Sequence, residues 1–348
     1  MKRLGQSVLG LSVSFIACAS LCLIGVAGVE AQTATAQKLL PARIGVLRLA
    51  SSGAVFIADA KKYFQAAGIA PKLVYFDAAQ PIAVAAAAGS IDFGVTAFTA
   101  GMFNLAAKGG LSVIAGQSRE TKGFPLNGIL VATHGPNASA IKTPADLAGR
   151  SVGITQTGSS FHYELGLLAA KYHFKLSSVK IVPLQSMSNI AAAVKGGSVD
   201  AAILPVTVAK PLIASGAAKL LGWAGDMTPW QIGAAMVGRK DMNNTTLIKD
   251  FLTGYRRGAK AYHDVLLNAA KQGAVPVNDA TKPLLAIIAK YTQHSIEQIR
   301  YGLPYVDANG ALDVADVGRQ ITWYQAHGFV DKGFGVDRVI DKRFVPKP

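Results

Sequence analysis

From position 43 onward, short apolar runs alternate with longer stretches of helical period. Runs at 43–49, 72–76, 91–95 and 111–115 predict strands, with helices at 54–66, 81–88 and 98–107 between them. Gly68 and Gly109-Gly110 mark two of the helix ends. A further apolar strand at 126–133 runs into the turn cluster His134-Gly135-Pro136-Asn137. Thr143-Pro144 then opens a short helix, with Thr as N-cap and Pro at the first helical position. Strands return at 151, at 199–203 and at 231–237. After 243 only helical patterns remain. One spans 247–272 with Thr245 or Thr246 as cap, one 283–292, one follows the capping box Ser295/Gln298, and the last covers 313–327 and ends at Gly328.

The strand-rich part repeats itself at an offset of 108 residues. Arg43-Ile44-Gly45-Val46 aligns with Ser151-Val152-Gly153-Ile154, Ser51-Ser52 with Ser159-Ser160, and Lys72-Leu73-Val74 with Lys180-Ile181-Val182. Between 82 and 95, six of fourteen residues equal their partners, including Gly89-Ser90 and Asp92 against Gly197-Ser198 and Asp200. Each copy reads as βαβαβ, so the pattern predicts an α/β chain with two similar lobes facing each other. The helix-only tail is expected to pack on the first lobe. The chain then crosses to the second lobe near 127 and returns near 225–235, which divides it into 38–126, 127–225 and 226–348. The crossings are the natural hinges.

Two equivalent loops should therefore meet across a cleft. Ser51-Ser52 and Gly158-Ser159-Ser160 each follow a strand and open a helix, where free N–H groups favour an anion. Helix capping alone also explains serine there. Thr96 and Phe98 follow the third strand, and Gln117 and Arg119 the fourth, so all four are expected at the same cleft. Arg119 can fork onto a carboxylate or sulfonate, or pair with Glu120 beside it. Phe98, Phe161, Trp223 and Trp230 can wall a pocket or fill a core. Asp92 and Asp200 are read as fixing the helix-to-strand turns. No catalytic set can be assigned. The six histidines lack metal-site spacing, and Gly158-Ser159-Ser160 is not a Gly-x-Ser-x-Gly elbow, so no metal or cofactor is expected. His162 is read as a partly exposed helix-face residue.

The first 31 residues change the picture of compartment. Lys2-Arg3 precedes an uncharged apolar run from Leu9 to Val29, and Val29-Glu30-Ala31 fits a small-x-small cleavage site, which predicts an exported chain starting at Gln32; Ala34-Thr35-Ala36 is a second acceptable site, with Gln37 as the start. An uncleaved membrane anchor is the alternative. Both cysteines, Cys18 and Cys22, lie in this segment, so the processed chain has no disulfide or thiolate chemistry. Removing Lys2, Arg3 and Glu30 from the 35 basic and 20 acidic residues leaves a net charge of +14. The basic residues are scattered and not striped among aromatics, which speaks against nucleic acid and suits an anionic solute.

With both units and the export segment in view, the chain resembles the nitrate/sulfonate/taurine family of ABC-importer substrate-binding proteins. The resemblance rests on Gly89-Ser90-Ile91-Asp92-Phe93-Gly94, on 146–154 from Asp146-Leu147 to Gly153-Ile154, and on Gly197-Ser198-Val199-Asp200-Ala201. It covers about residues 43 to 265. It implies a type II periplasmic binding protein fold, a monomer that clamps a small organic anion, and delivery to a membrane permease driven by an ATPase. Pyrimidine or thiamine-precursor binding, a synthase-like enzyme and a periplasmic sensor subunit are the alternatives. The cysteine-free processed chain departs from the Cys-rich iron segment of the synthases that share this fold.

Overall fold

The computed structural model describes residues 38–271 and 273–346. The leader and its cleavage site lie outside the described residues. The first unit runs β1 (Leu40–Leu47), α1 (Gly53–Ala60), α2 (Tyr63–Ala66), β2 (Ile69–Phe76), α3 (Ala79–Ala87), β3 (Phe93–Ala97), α4 (Ala100–Ala107) and β4 (Leu111–Gly116). The two-residue β5 (Arg119–Glu120) leads into the second unit. That unit comprises β6 (Asn127–Ala132), β7 (Ser151–Ile154), α5 (Ser160–Lys171), β8 (Lys180–Pro183), α6 (Met187–Lys195), β9 (Ala201–Pro205), α7 (Val206–Ala214) and β10 (Ala218–Trp223). The chain returns through α8 (Ala224–Met227), β11 (Trp230–Gln231) and β12 (Gly233–Gly238). It ends in α9 (Thr245–Tyr262), α10 (Lys282–Thr292), α11 (Ile296–Ile299) and α12 (Val314–Ala326).

Two five-stranded sheets result, ordered β2-β1-β3-β12-β4 and β8-β7-β9-β6-β10. In each, the strand placed between the third and fourth strands of the unit runs antiparallel to both: β12 in the first sheet and β6 in the second. Each of these strands directly follows a passage between the units, and β5 pairs with β11 antiparallel where the two passages run side by side. This is the two-lobed α/β fold of the periplasmic binding proteins.

The 108-residue offset survives in the elements themselves. Strand β9 follows β3 by that spacing at both of its ends, and α6 follows α3 in the same way. Asp92 and Asp200 do the same work in both lobes. The Asp92 carboxylate accepts the Arg43 backbone N–H at 2.7 Å and that of Asp200 accepts Ser151 N–H at 2.8 Å, tying the start of the first strand to the start of the third. Asp92 also pairs with the Arg43 guanidinium at 2.8 Å. These donors hold both carboxyls below their ordinary range, against the opposing pull of burial.

The first sheet is covered on one face by α1, α9 and α10. Phe251 of α9 stacks on Phe93 with ring centroids 4.0 Å apart, and Tyr255 and Tyr262 are fully buried beside it. Each such side chain contributes roughly 1.5–3 kcal/mol by leaving water. The second sheet packs Leu130, Ile154 and Ile203 against Leu165 and Leu168 of α5.

Four expectations change. The helix at 54–66 divides because Lys62 takes a left-handed φ of 58°. The helix expected to reach 272 leaves α-geometry after Tyr262 and passes through a π-turn at His263–Leu267, and Asn244 caps its start in place of Thr245 or Thr246, its Oδ1 accepting Leu247 N–H. The tail is not confined to the first lobe. Helix α12 touches α4 and α5, and the Tyr324 hydroxyl donates to the Ser159 carbonyl at 3.0 Å. His162 is buried between α5 and the tail, against Trp323 and Phe329, so it is not a solvent-facing residue.

Candidate functional site

The helix starts of both lobes converge on one cavity. Ser51 lies in the turn entering α1, Ala79 and Gln80 open α3, and Thr99 caps α4; across from them, Ser159 and Ser160 start α5, Met187 starts α6 and Pro205 precedes α7. The repeat explains the convergence. Leu47 and Thr155, Ser51 and Ser159, Ala79 and Met187, and Ala97 and Pro205 are each 108 residues apart, and all eight line the cavity. First-turn N–H groups lack intrahelical acceptors, and each helix start carries partial positive charge, so the cavity is electropositive without a cation in its wall. None of its 18 lining residues, among those described, is charged.

Its polar wall comes from Ser51, Gln80, Thr99, Gln117, Asn127 and Thr155, with Gln156, Ser159 and Ser160. Thr99 accepts Met102 N–H and donates to Gln80 Oε1, which fixes both side chains. Gln117 is held by donating to the Ser51 carbonyl at 3.1 Å. The apolar wall includes Leu47, Leu49, Leu126, Phe161, Met187 and Ile232. The cavity has a volume of only about 30 Å³ within about 540 Å³ of space between the lining atoms, solvent at the mouth included. The lobes are drawn together in this structure. Gly158 supplies one clasp, its carbonyl accepting Ala100 N–H at 2.9 Å across the cleft. His162 supports that loop from beneath by accepting Gly158 N–H on Nδ1 at 3.1 Å, the role of a neutral ring; burial, then the nearby His327, pushes its pKa down to about 4.

Behind the cavity lies a buried carboxyl pair. Both Glu120 oxygens accept backbone N–H groups, from Leu126 and Asn127, each at 2.9 Å. The Asn127 side chain donates to Glu164 at 2.8 Å, and the other Glu164 oxygen has no partner. Burial raises the pKa of both, Glu164 to about 8, and for Glu120 the charge of Glu164 adds to the rise. Between them the pair keeps a proton at neutral pH. The two N–H donors on Glu120 and the Asn127 amide on Glu164 oppose the rise without cancelling it.

The residues expected at the cleft divide. Ser51, Gln117, Ser159 and Ser160 line the cavity, and Gly158 lines an adjoining recess. Ser52 and Thr96 do not reach it; both are buried with hydroxyls that lack partners, because the turn into α1 and the alternation of β3 aim them into the core. Phe98 is likewise core, stacked on Phe103 at 5.3 Å. Arg119 pairs with Asp313 at 3.1 Å, not with Glu120 and not with the cavity. Trp223 lines a separate recess with Lys210 and Tyr301, and Trp230 packs against Tyr163. Thr99, in the loop expected at the cleft after the third strand, lines the cavity, whereas Gln80, Asn127, Thr155, Gln156 and Met187 escaped the sequence reading. Among the described residues no group of three or more His, Cys, Asp or Glu is placed to hold a metal, and no helix is long and apolar enough to cross a membrane.

Two lobes, a cleft at the helix starts and strand order 2-1-3 with an inserted antiparallel strand define a periplasmic binding protein fold. The chain belongs to the NMT1/THI5-like family, whose model matches residues 50–264. No curated protein matches it. Among solved structures it is similar to the alkanesulfonate-binding protein SsuA from Xanthomonas axonopodis pv. citri bound to MOPS, with a TM-score of 0.69 at 19% identity over 88% of this chain and 97% of that one. The periplasmic aliphatic sulphonate-binding protein SsuA from Escherichia coli gives 0.66 at 22% identity, over 87% and 98%. The periplasmic nitrate-binding protein NrtA from Synechocystis PCC 6803 gives 0.68 at 12% identity, over 88% and 87%.

Proposed function

We propose that the protein is the solute-binding component of an ABC importer, and that it closes its two lobes on a small organic anion without transforming it. The observation that carries this is a cavity built from helix starts of both lobes, with uncharged donors and no charged side chain in its wall. Such donors stabilise an anion through oriented N–H and O–H dipoles, and each helix start contributes roughly 0.3–1 kcal/mol, more when buried. Sulfonate and carboxylate heads suit Ser51, Ser159, Ser160 and Gln117. A cationic pyrimidine would want a carboxylate at the wall, and Glu120 is turned inward onto backbone N–H groups.

The tight space requires the lobes to part before a solute enters, with the paired β5 and β11 as hinge. A membrane permease and its ATPase are the partners, and the binding protein works as a monomer. Export removes the leader, so the periplasmic form begins at Gln32. An intact mass showing a diacylglycerol on Cys18 would contradict that start.

A thermal-shift screen of sulfonates, carboxylates and pyrimidines tests the ligand class. A true solute at 100-fold excess over Kd adds about 2.7 kcal/mol to stability. Hits among anions are expected; hits confined to neutral or cationic compounds reject the reading.

A further inference from the structure

We infer that the binding site has a second, outer subsite, centred on Arg48 and the start of α6, which takes an anionic group at the far end of an elongated solute. The inference rests on the anion reading of the inner cavity and extends it. The inner cavity is too small for more than a head group. Leu47, Leu49 and Met187 line both it and a larger, more open chamber of about 440 Å³. These three side chains are the apolar wall that the two spaces share. The solute class that fits has an acid at each end and a short hydrocarbon middle.

Arg48 is the feature of the outer room that selects charge. Its guanidinium carbon sits 3.7 Å from the centre of the Tyr75 ring, and Nη1 donates to the Tyr291 carbonyl at 3.1 Å. The head is thus held in place, yet among the described residues no carboxylate lies within 4.0 Å of it. Lining the same chamber from the other lobe are Ser186, which caps α6 by accepting Asn189 N–H at 3.2 Å, and Ser188 in the first turn. A guanidinium and a nine-residue helix start from opposite lobes make a two-sided anion seat. The repeat supports the placement, because the partner of Arg48 at the 108-residue offset is Gln156, which lines the inner cavity. His294, also in the chamber, has its pKa lowered by burial and adds no charge at neutral pH. Asp77, exposed at the rim, is the one opposing charge in the chamber wall among the described residues.

The test is calorimetric titration of the processed protein with two matched pairs: hexanoate against hexanedioate, and butane-1-sulfonate against 4-sulfobutanoate. In the wild type the two-headed member of at least one pair should bind about tenfold tighter or more, the effect of one charge-assisted contact. In Arg48→Gln the ratio within that pair should fall to about twofold or less. Arg48→Lys should restore part of it, and Asp77→Asn should widen it. A ratio unchanged by Arg48→Gln, or one-headed members binding as tightly as two-headed ones in the wild type, overturns the outer subsite and leaves the inner-cavity reading standing. If no member of either pair binds the wild type, the anion reading of the inner cavity fails, and the outer subsite falls with it.

Discussion

Gly158→Val should weaken solute binding by about 100-fold or more while leaving a folded protein. Gly158 has a φ of 78°, a conformation that costs an L-residue about 1–2 kcal/mol. A Cβ added there would stand 3.0 Å from the Ala100 Cβ on the opposite lobe, and valine would carry two further carbons into that contact. The Ala100 N–H to Gly158 carbonyl bond crosses the same gap and is worth about 0.5–1.5 kcal/mol. Contact and bond both exist only when the lobes meet, so their loss falls on closure, while the backbone strain lowers the stability of the second lobe in either state. A loss near 3 kcal/mol corresponds to the 100-fold change. Circular dichroism melting checks the fold and calorimetry the affinity. Binding within tenfold of wild type would mean that the Gly158 clasp is no part of the bound state.

The second large effect concerns the buried carboxyl pair. Glu164→Gln should stabilise the protein at pH 8 by on the order of 2–4 kcal/mol, since each tenfold change in proton affinity is worth about 1.4 kcal/mol, and hardly at all near pH 4.5. The sign follows from proton counting. Burial raises the Glu164 pKa from an ordinary 4.5 to about 8, so between those values the folded protein binds a proton that the unfolded chain does not. The Glu164 contribution to stability therefore falls as pH rises through that window, and it levels off above 8. Glutamine keeps the shape of the protonated acid and removes the Glu164 share of the slope, while Glu120, whose pKa burial also raises, keeps its own in both proteins. His162 acts on the other side: its pKa is depressed to about 4, so stability is lost as pH falls from about 6.5 toward 4 in both proteins. Melting temperatures of the two proteins from pH 4 to 9 decide the matter. Parallel curves would show that Glu164 carries no buried proton.

The fold was legible because the repeat is a physical requirement written twice. A strand, a turn and a helix must recur at one spacing if two lobes are to present equivalent edges. Thus α3 and α6, or Asp92 and Asp200, could be matched by offset alone. The path of α12 was not legible, since an amphipathic helix pattern tells which face is apolar and not which lobe it meets. At the site, the loops after strands were legible and the directions of side chains were not. Ser51 and Ser52 are neighbours, yet one faces the cavity and the other the core, a choice set by where the short turn before α1 begins. Phe98 shows the same limit: a strand end places the backbone at the cleft, while packing against Phe103 takes the ring inward.

The measurement closest to the central claim is calorimetric titration of the wild type and of the Ser159→Ala, Ser160→Ala double variant with sulfonates, carboxylates and uncharged pyrimidines. A cleft that holds anions on helix starts predicts saturable binding of an anion by the wild type, weakened about tenfold or more when the two hydroxyls are removed. Binding confined to uncharged compounds, or an anion affinity equal in the two proteins, would contradict it.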